Sequence, residues 1–305
     1  MEIIKDILNN KETIVNSIHQ HGYAPEHNFW HFFNLQTEKS KCWFLRFNGN
    51  AGIMSLLNKS GSCEMISEVL ASKNKRMEVF EEFLNHMLRK LGLKKVYVFV
   101  GTDFKNEIKK MADKNRNHNR YSLSRSRTYY CPIFNLKNFD ERLPGKFWKK
   151  IRNIKNKFYR DHDVQVVQSQ DVDRKALLDI VLQWKKRKGS HDRAEYVKYL
   201  NFIKNDFRGA KYARTLVVNG KPSTITAGWS IPDSNIYHSA IGIHNYMFED
   251  LSYISNLDDL LFLKKMGHVY ANFGSSDKDL LAFKKKFNPE SIVKLHYFSI
   301  RKSNQ

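Results

Sequence analysis

Apolar positions in the second half of the chain alternate between helical and strand periods. Phe147, Ile151, Ile154 and Phe158 recur at one face of a helix, and Pro144-Gly145 punctuates its start. Val164 to Val167 reads as a short strand. Leu177, Ile180, Val181 and Trp184 predict an amphipathic helix ending near Gly189, and Tyr196 to Phe207 predicts another. Three strand-like runs follow: Thr215 to Val218, Ser223 to Ile231 and Asn235 to Ile243. Asn219-Gly220 joins the first two as a tight hairpin turn. A helix over Leu251 to Met266 with Gly267 at its end, a strand over His268 to Phe273, a helix over Asp277 to Phe287 and a strand over Ile292 to Ile300 complete the pattern.

The first half repeats this order. Cys42 to Phe47, Ala51 to Leu57 and Ser62 to Leu70 read as strands, with Asn48-Gly49 as a turn. A helix spans Arg76 to Leu91, Gly92 ends it, Val96 to Val100 is a strand, and a helix starts near Asp103. The landmarks superpose at nearly constant offsets. The Asn-Gly turns lie 171 positions apart, the helix-ending glycines 175, and Gly101-Thr102-Asp103 faces Gly274-Ser275-Ser276-Asp277. These offsets predict a duplicated α+β unit, with sheets flanked by helices, divided as 1–135 and 136–305. Between the halves, Lys105 to Arg127 is basic, polar and poor in apolar residues.

Composition adds a partner class. The 305 residues are 41% hydrophobic and 13% aromatic, enough for a real core, and the net charge is +21. Charge of that size points to a polyanionic partner: nucleic acid, an anionic membrane surface or a phosphorylated ligand. A base composition that enriches Lys, Asn and Ile is the other source. Three cysteines without a CxxC spacing predict neither a disulfide framework nor a zinc site, and suit a reducing compartment. The N-terminus is not a signal peptide, and the longest apolar runs are strand-sized. The expected location is the cytoplasm, with any membrane contact made peripherally at the inner face.

The most specific stretch is Asn272-Phe273-Gly274-Ser275-Ser276 followed by Leu280-Leu281-Ala282-Phe283-Lys284-Lys285-Lys286-Phe287-Asn288-Pro289, with Tyr297 in the closing strand. It resembles the ending of the FemAB aminoacyltransferases and of the catalytic domain of lysyl-phosphatidylglycerol synthases, both tandem acyltransferase folds of the GNAT type. The basic helix Lys146 to Arg160 is a further likeness. The resemblance implies two tandem GNAT-like units, with the acyl-transfer site in the second. It implies transfer of an amino acid from aminoacyl-tRNA to an amine or hydroxyl acceptor: a peptidoglycan precursor, a lipid head group or a peptide. It also implies that Phe283 and Lys284 line the aminoacyl pocket. No cofactor beyond the aminoacyl-tRNA co-substrate is expected. The sequence departs from these families in lacking a multi-span membrane domain and a long heptad arm. The alternative donor, an acyl-CoA, needs a phosphate loop, and His244 to Asp250 contains no glycine. The non-enzymatic alternative is a protein that only binds nucleic acid or a membrane surface.

Candidate chemistry centres on Lys284. An ammonium aimed at the oxygen of an attacked ester stabilises the transition state more than the ground state. A solvated Lys284-Lys285-Lys286 face over a core of Phe283 and Phe287 is the competing reading. His238 is a candidate general base, as is His244. Trp229, Tyr237, Asn272 and Ser275 are candidate substrate contacts. Asp277 suits an N-cap better than a substrate contact. Eight Lys/Arg and no acid fall between Arg142 and Arg160. Lys149, Arg152 and Lys155 there, with Arg116, Arg120 and Lys285, are candidate tRNA phosphate ligands. No metal-ligand cluster has usable spacing.

Overall fold

The computed structural model describes residues 1–114, 121–188 and 196–303. Strand β1 (Glu2–Ile4) precedes α1 (Lys11–His21) and α2 (Phe29–Asn34). Next come β2 (Ser40–Arg46), β3 (Gly52–Asn58), β4 (Ser62–Met65), α3 (Arg76–Asn85), β5 (Lys95–Gly101) and α4 (Thr102–Lys114). Strands β6 (Tyr121–Leu123) and β7 (Arg127–Asn135) lead to α5 (Lys149–Asp161), β8 (Val164–Gln168), α6 (Arg174–Lys188) and α7 (Tyr196–Lys204). The chain ends through β9 (Tyr212–Val218), β10 (Lys221–Pro222), β11 (Thr224–Ser230), β12 (Ile236–His244), α8 (Leu251–Lys265), β13 (Tyr270–Asn272), α9 (Lys278–Lys284) and β14 (Ser291–Lys302).

Local chemistry explains most of these elements. Asn219 and Gly220 both adopt positive φ, 49° and 73°, the geometry that lets a two-residue turn follow the twist of its strands. Asp277 caps α9 by accepting the Leu280 amide at 2.9 Å. Along β5, Val96, Val98 and Val100 are buried while Lys95, Tyr97 and Phe99 are half-buried, as a period of two demands. Two expectations need correction, and one strand has no forecast. Phe147 lies before α5 and is 58% exposed, because the chain turns at Pro144-Gly145 and leaves it outside the helix. Strand β4 stops at Met65, five residues short of Leu70. β7, at the end of the basic stretch, is a full strand of the sheet.

All the strands join one sheet, in the order β1-β2-β3-β4-β5-β14-β7-β13-β12-β11-β9-β10, with β6 and β8 on side branches. Two neighbouring pairs are parallel, and they occupy equivalent places in the two halves. β4 pairs β5 from Ser62↔Lys95 to Met65↔Val98. β12 pairs β13 from Ile236↔Tyr270 to His238↔Asn272. Each pair then parts, leaving a slot between strands. The closing strands interleave: β14 lies between β5 and β7, and β7 pairs β13. The last strand of the chain therefore completes the sheet of the first half, and the sheet runs across residue 135.

Helices cover both faces. On one, α3 and α4 bury the first-half core around Phe80, Phe83 and Val98, and α5 and α8 bury second-half cores around Leu257 and Phe158. On the other, α1 and α2 pack on β2 and β3, and α6 and α7 pack on β9, β11 and β12. The helices of this second face meet where Asn201 of α7 donates to the carbonyl oxygens of Asn34 and Gln36 at 2.8 and 3.0 Å.

Candidate active site

The second slot opens where β12 and β13 part. His238 and Asn272 are register partners there. Their side chains point to the α2/α7 face, because the alternate residues Tyr237, Ala271 and Phe273 belong to the core under α8. A bulge at Ala227/Gly228 in β11 brings β12 close, and any Cβ at Gly228 would sit 2.0 Å from the His238 carbonyl oxygen. Asn272 holds the turn beyond the strand, its Oδ1 accepting the Gly274 amide at 2.7 Å.

Lys284 closes the slot from α9. It is 8% exposed, and its ammonium donates to the carbonyl oxygen of Phe273, at the point where β13 ends. Burial pulls its pKa down to about 8. Phe283 beside it packs on Tyr253 and Phe287, with ring centroids 5.1 and 5.6 Å away, and so anchors the lysine through the core. Lys284 is thus separated in role from Lys285, which is exposed. Cys131 of β7 shares the site. Burial pushes its thiol up to about 12, and the thiol feels both the Lys284 ammonium and the Glu26 carboxylate.

Glu26 has no sequence signal, since it is a lone acid on an aperiodic loop. The structure explains its placement. The Tyr23 and Ala24 amides donate to His27 Nδ1 at 2.9 and 3.1 Å, which leaves Nε2 to donate to the Glu68 carbonyl oxygen at 2.9 Å. These bonds tie the loop to the first half. The Trp229 indole donates to the Pro25 carbonyl oxygen at 2.7 Å and ties it to the second. Glu26 sits between the two anchors. Burial raises its pKa to about 7, opposed by Lys198 of α7.

The other candidate residues fall in four places. Trp229 and His238 line the slot: the indole stacks on Phe202 with centroids 5.9 Å apart and meets the His238 ring edge-on at 5.4 Å. Burial, with Lys198 and Lys284 adding, lowers the His238 pKa to about 3, and Nδ1 has no partner among the described residues. A ring held neutral this firmly is a weak proton acceptor at pH 7, so His238 suits hydrogen bonding better than general-base work. Tyr237 is buried on the opposite face, against Tyr212 and His268, and does not reach the slot. Ser275 is exposed at the rim. His244 is distant along β12, its ring 4.3 Å from Tyr246, and burial lowers its pKa to about 4.

The basic helix α5 packs on α8, across the sheet from Glu26. Lys149 is exposed and Lys155 half-buried. Arg152 donates to the carbonyl oxygens of Leu143 and Gly145 and fastens the preceding loop. Arg116 and Arg120 lie outside the described residues. At the N-terminus of α8, where a coenzyme pyrophosphate would need free amides, Glu249 and Asp250 place two carboxylates. Among the described residues no cluster of His, Cys, Asp and Glu could hold a metal ion, and no helix is long and apolar enough to cross a membrane. A surface depression of about 610 Å³ lies at the far edge, beside Val172 and Pro222, away from Lys284.

Two splayed parallel pairs, each followed by a helix and closed by an antiparallel strand, define the tandem GNAT fold. Solved structures share it along nearly the whole chain. A conserved protein of unknown function from Bacteroides thetaiotaomicron is 14% identical with a TM-score of 0.71, over 99% of this chain and 100% of that one. L-PGS from Bacillus licheniformis is 15% identical with a TM-score of 0.67, over 96% and 92%. A tandem GNAT protein from the clavulanic acid biosynthesis pathway is 11% identical with a TM-score of 0.60, over 100% and 99%. No family model and no curated protein matches the sequence.

Proposed function

We propose that the protein is an acyltransferase of the GNAT type that moves an aminoacyl group from aminoacyl-tRNA to an amine or hydroxyl acceptor. The observation that carries this reading is a buried ammonium, Lys284, set at the mouth of the second slot, where a carbonyl group would lie. The acceptor nitrogen or oxygen attacks the ester carbonyl carbon, and negative charge builds on the carbonyl oxygen. Lys284 stabilises that charge in a site shielded from water, an effect worth on the order of 100- to 1000-fold in rate. Glu26 accepts the proton lost by the nucleophile. As the intermediate collapses, the bond to the tRNA 3′ oxygen breaks, and that oxygen takes up the proton. Asn272, Trp229 and His238 shape the slot and hold the reactants in register.

The large positive charge suits a tRNA donor, with Lys149 and Lys155 neutralising phosphates of the tRNA body. The carboxylates at the N-terminus of α8 disfavour acyl-CoA. The test is to incubate the protein with a pool of labelled aminoacyl-tRNAs, a cell extract and anionic vesicles, and to follow the label. Transfer to an acceptor, lost in Lys284→Met, supports the reading. Transfer from acetyl-CoA with none from any aminoacyl-tRNA would overturn it.

A further inference from the structure

The middle of the sheet carries an aromatic surface that the proposed chemistry leaves unused. On the α2/α7 face, β5 presents Tyr97 and Phe99, β14 presents Tyr297, and β7 presents Tyr129. The pairings Phe99↔Tyr297, Tyr297↔Arg127 and Leu295↔Tyr129 place them side by side. Tyr97 and Tyr297 stack with centroids 5.5 Å apart and planes 6° from parallel. Phe99 meets Tyr129 edge-on at 5.7 Å and Tyr297 at 6.5 Å. All four rings are half-buried. The cores under α1/α2 and under α6/α7 contain no residue of these three strands.

The surface is edged with cations. The Lys95 ammonium lies 4.9 Å from the Tyr97 ring centre, the Arg127 guanidinium lies 5.1 Å from that of Tyr129, and Arg301 extends the same face of β14. Two acids lie at its β4 side: Glu64 opposite Tyr97, and Glu68, whose carboxylate accepts the Gly101 amide at the end of β5. The surface also has a direction. Two residues past Tyr129 along β7 is Cys131, whose thiol feels Glu26 and Lys284. From Arg127 to Cys131 the strand rises ~13 Å, close to four base-stacking steps of ~3.4 Å.

From this we infer that the aromatic face binds single-stranded RNA, and that its ligand is the unpaired 3′ end of the tRNA, delivered along β7 to Lys284. The inference rests on the aminoacyl-tRNA reading. Flat rings stack on any base, and Arg and Lys beside them neutralise the phosphates, which is the chemistry that holds single strands without reading sequence. A duplex cannot use the rings because its bases are already stacked on each other. An anionic bilayer would use the cations and not the aromatic planes.

The probes are a fluorescent six-nucleotide RNA single strand ending in CCA, the same sequence as a duplex, and vesicles of anionic phospholipid. The single strand should bind at least tenfold more tightly than the duplex. Tyr97→Ala and Tyr297→Ala should each weaken it about tenfold, with Tyr97→Phe and Tyr297→Phe close to wild type. A variant that fails to fold is replaced by crosslinking of a 4-thiouridine RNA to the wild-type protein, which should label the β5 and β14 tyrosines. Equal binding of single strand and duplex, vesicle binding that the tyrosine variants weaken, or crosslinks confined to α5 would overturn the inference. If RNA binding follows the tyrosines but no aminoacyl group moves, the surface stands and the catalytic reading fails. If transfer proceeds unchanged in the tyrosine variants, the surface fails alone.

Discussion

The two slots of this duplicated sheet have the same frame and opposite contents. Where β4 and β5 part, the Glu68 carboxylate fills the gap, accepting the Gly101 amide at 2.6 Å and the Tyr23 hydroxyl at 3.0 Å. Where β12 and β13 part, Lys284 is buried at the opening instead, and the Glu26 carboxylate stands on the far side of Cys131. The Phe-Lys dipeptide after each slot shows the same divergence. Phe104 and Phe283 both pack inward, but Lys105 is half-exposed and meets the His296 ring at 3.3 Å. The first slot is plugged and its lysine faces outward. The second is not plugged in this way, and its lysine faces inward. The two halves share a scaffold, and burial of a single ammonium is what distinguishes the second slot from the first.

That contrast is broken most severely by Lys284→Met. Transfer should fall at least ~100-fold. Stability at pH 7 should hold or rise. Folding lowers the Lys284 pKa to about 8, so the folded state disfavours the ammonium, and the methionine removes that cost. The stabilising effect should shrink as pH rises above 8. Thermal melts and single-turnover transfer assays read both.

Glu26→Gln should come next, with a loss of ~10- to 100-fold as a proton acceptor disappears. In the wild type, the rate should rise as Glu26 ionises near pH 7 and fall as Lys284 loses its proton near pH 8. Glu26→Gln should remove the acid limb alone. A pH–rate profile that keeps both limbs in the variant contradicts the role given to Glu26.

Glu68→Ala should act on the frame. It strands the Gly101 amide and leaves the Tyr23 hydroxyl only the Val69 carbonyl oxygen at 3.3 Å, costing about 1–3 kcal/mol of stability, with transfer retained within a few-fold. Urea unfolding measures this. Lys105→Met should have the smallest effect, leaving transfer and melting temperature close to wild type, since its ammonium is half-exposed.

These features differ in how plainly the residues announce them. The helices and hairpins of the second half follow from periodicity and from turns such as Asn219-Gly220, because those signals are local. The interleaving of β7 and β14 is not legible. Arg127 to Asn135 opens in a basic, polar stretch, and its partners lie more than a hundred residues away in β13 and β14. Lys284 is visible only through the motif around it. Its neighbours Lys285 and Lys286 carry the same charge, and only the packing of Phe283 and Phe287 decides which of the three turns inward. Glu26 is invisible, since what distinguishes it is an anchor to Glu68 on one side and to Trp229 on the other. Arg152 misleads in the other direction: its charge suggests phosphate, and the fold spends it on two loop carbonyls.

The most direct test of the account compares Lys284→Met with Lys105→Met in one single-turnover assay with labelled aminoacyl-tRNA and acceptor at pH 7.5. The account predicts transfer reduced at least ~100-fold in the first and within about twofold of wild type in the second, with both proteins folded. Equal losses in the two variants, or full activity without Lys284, would contradict the assignment of the chemistry to the second slot.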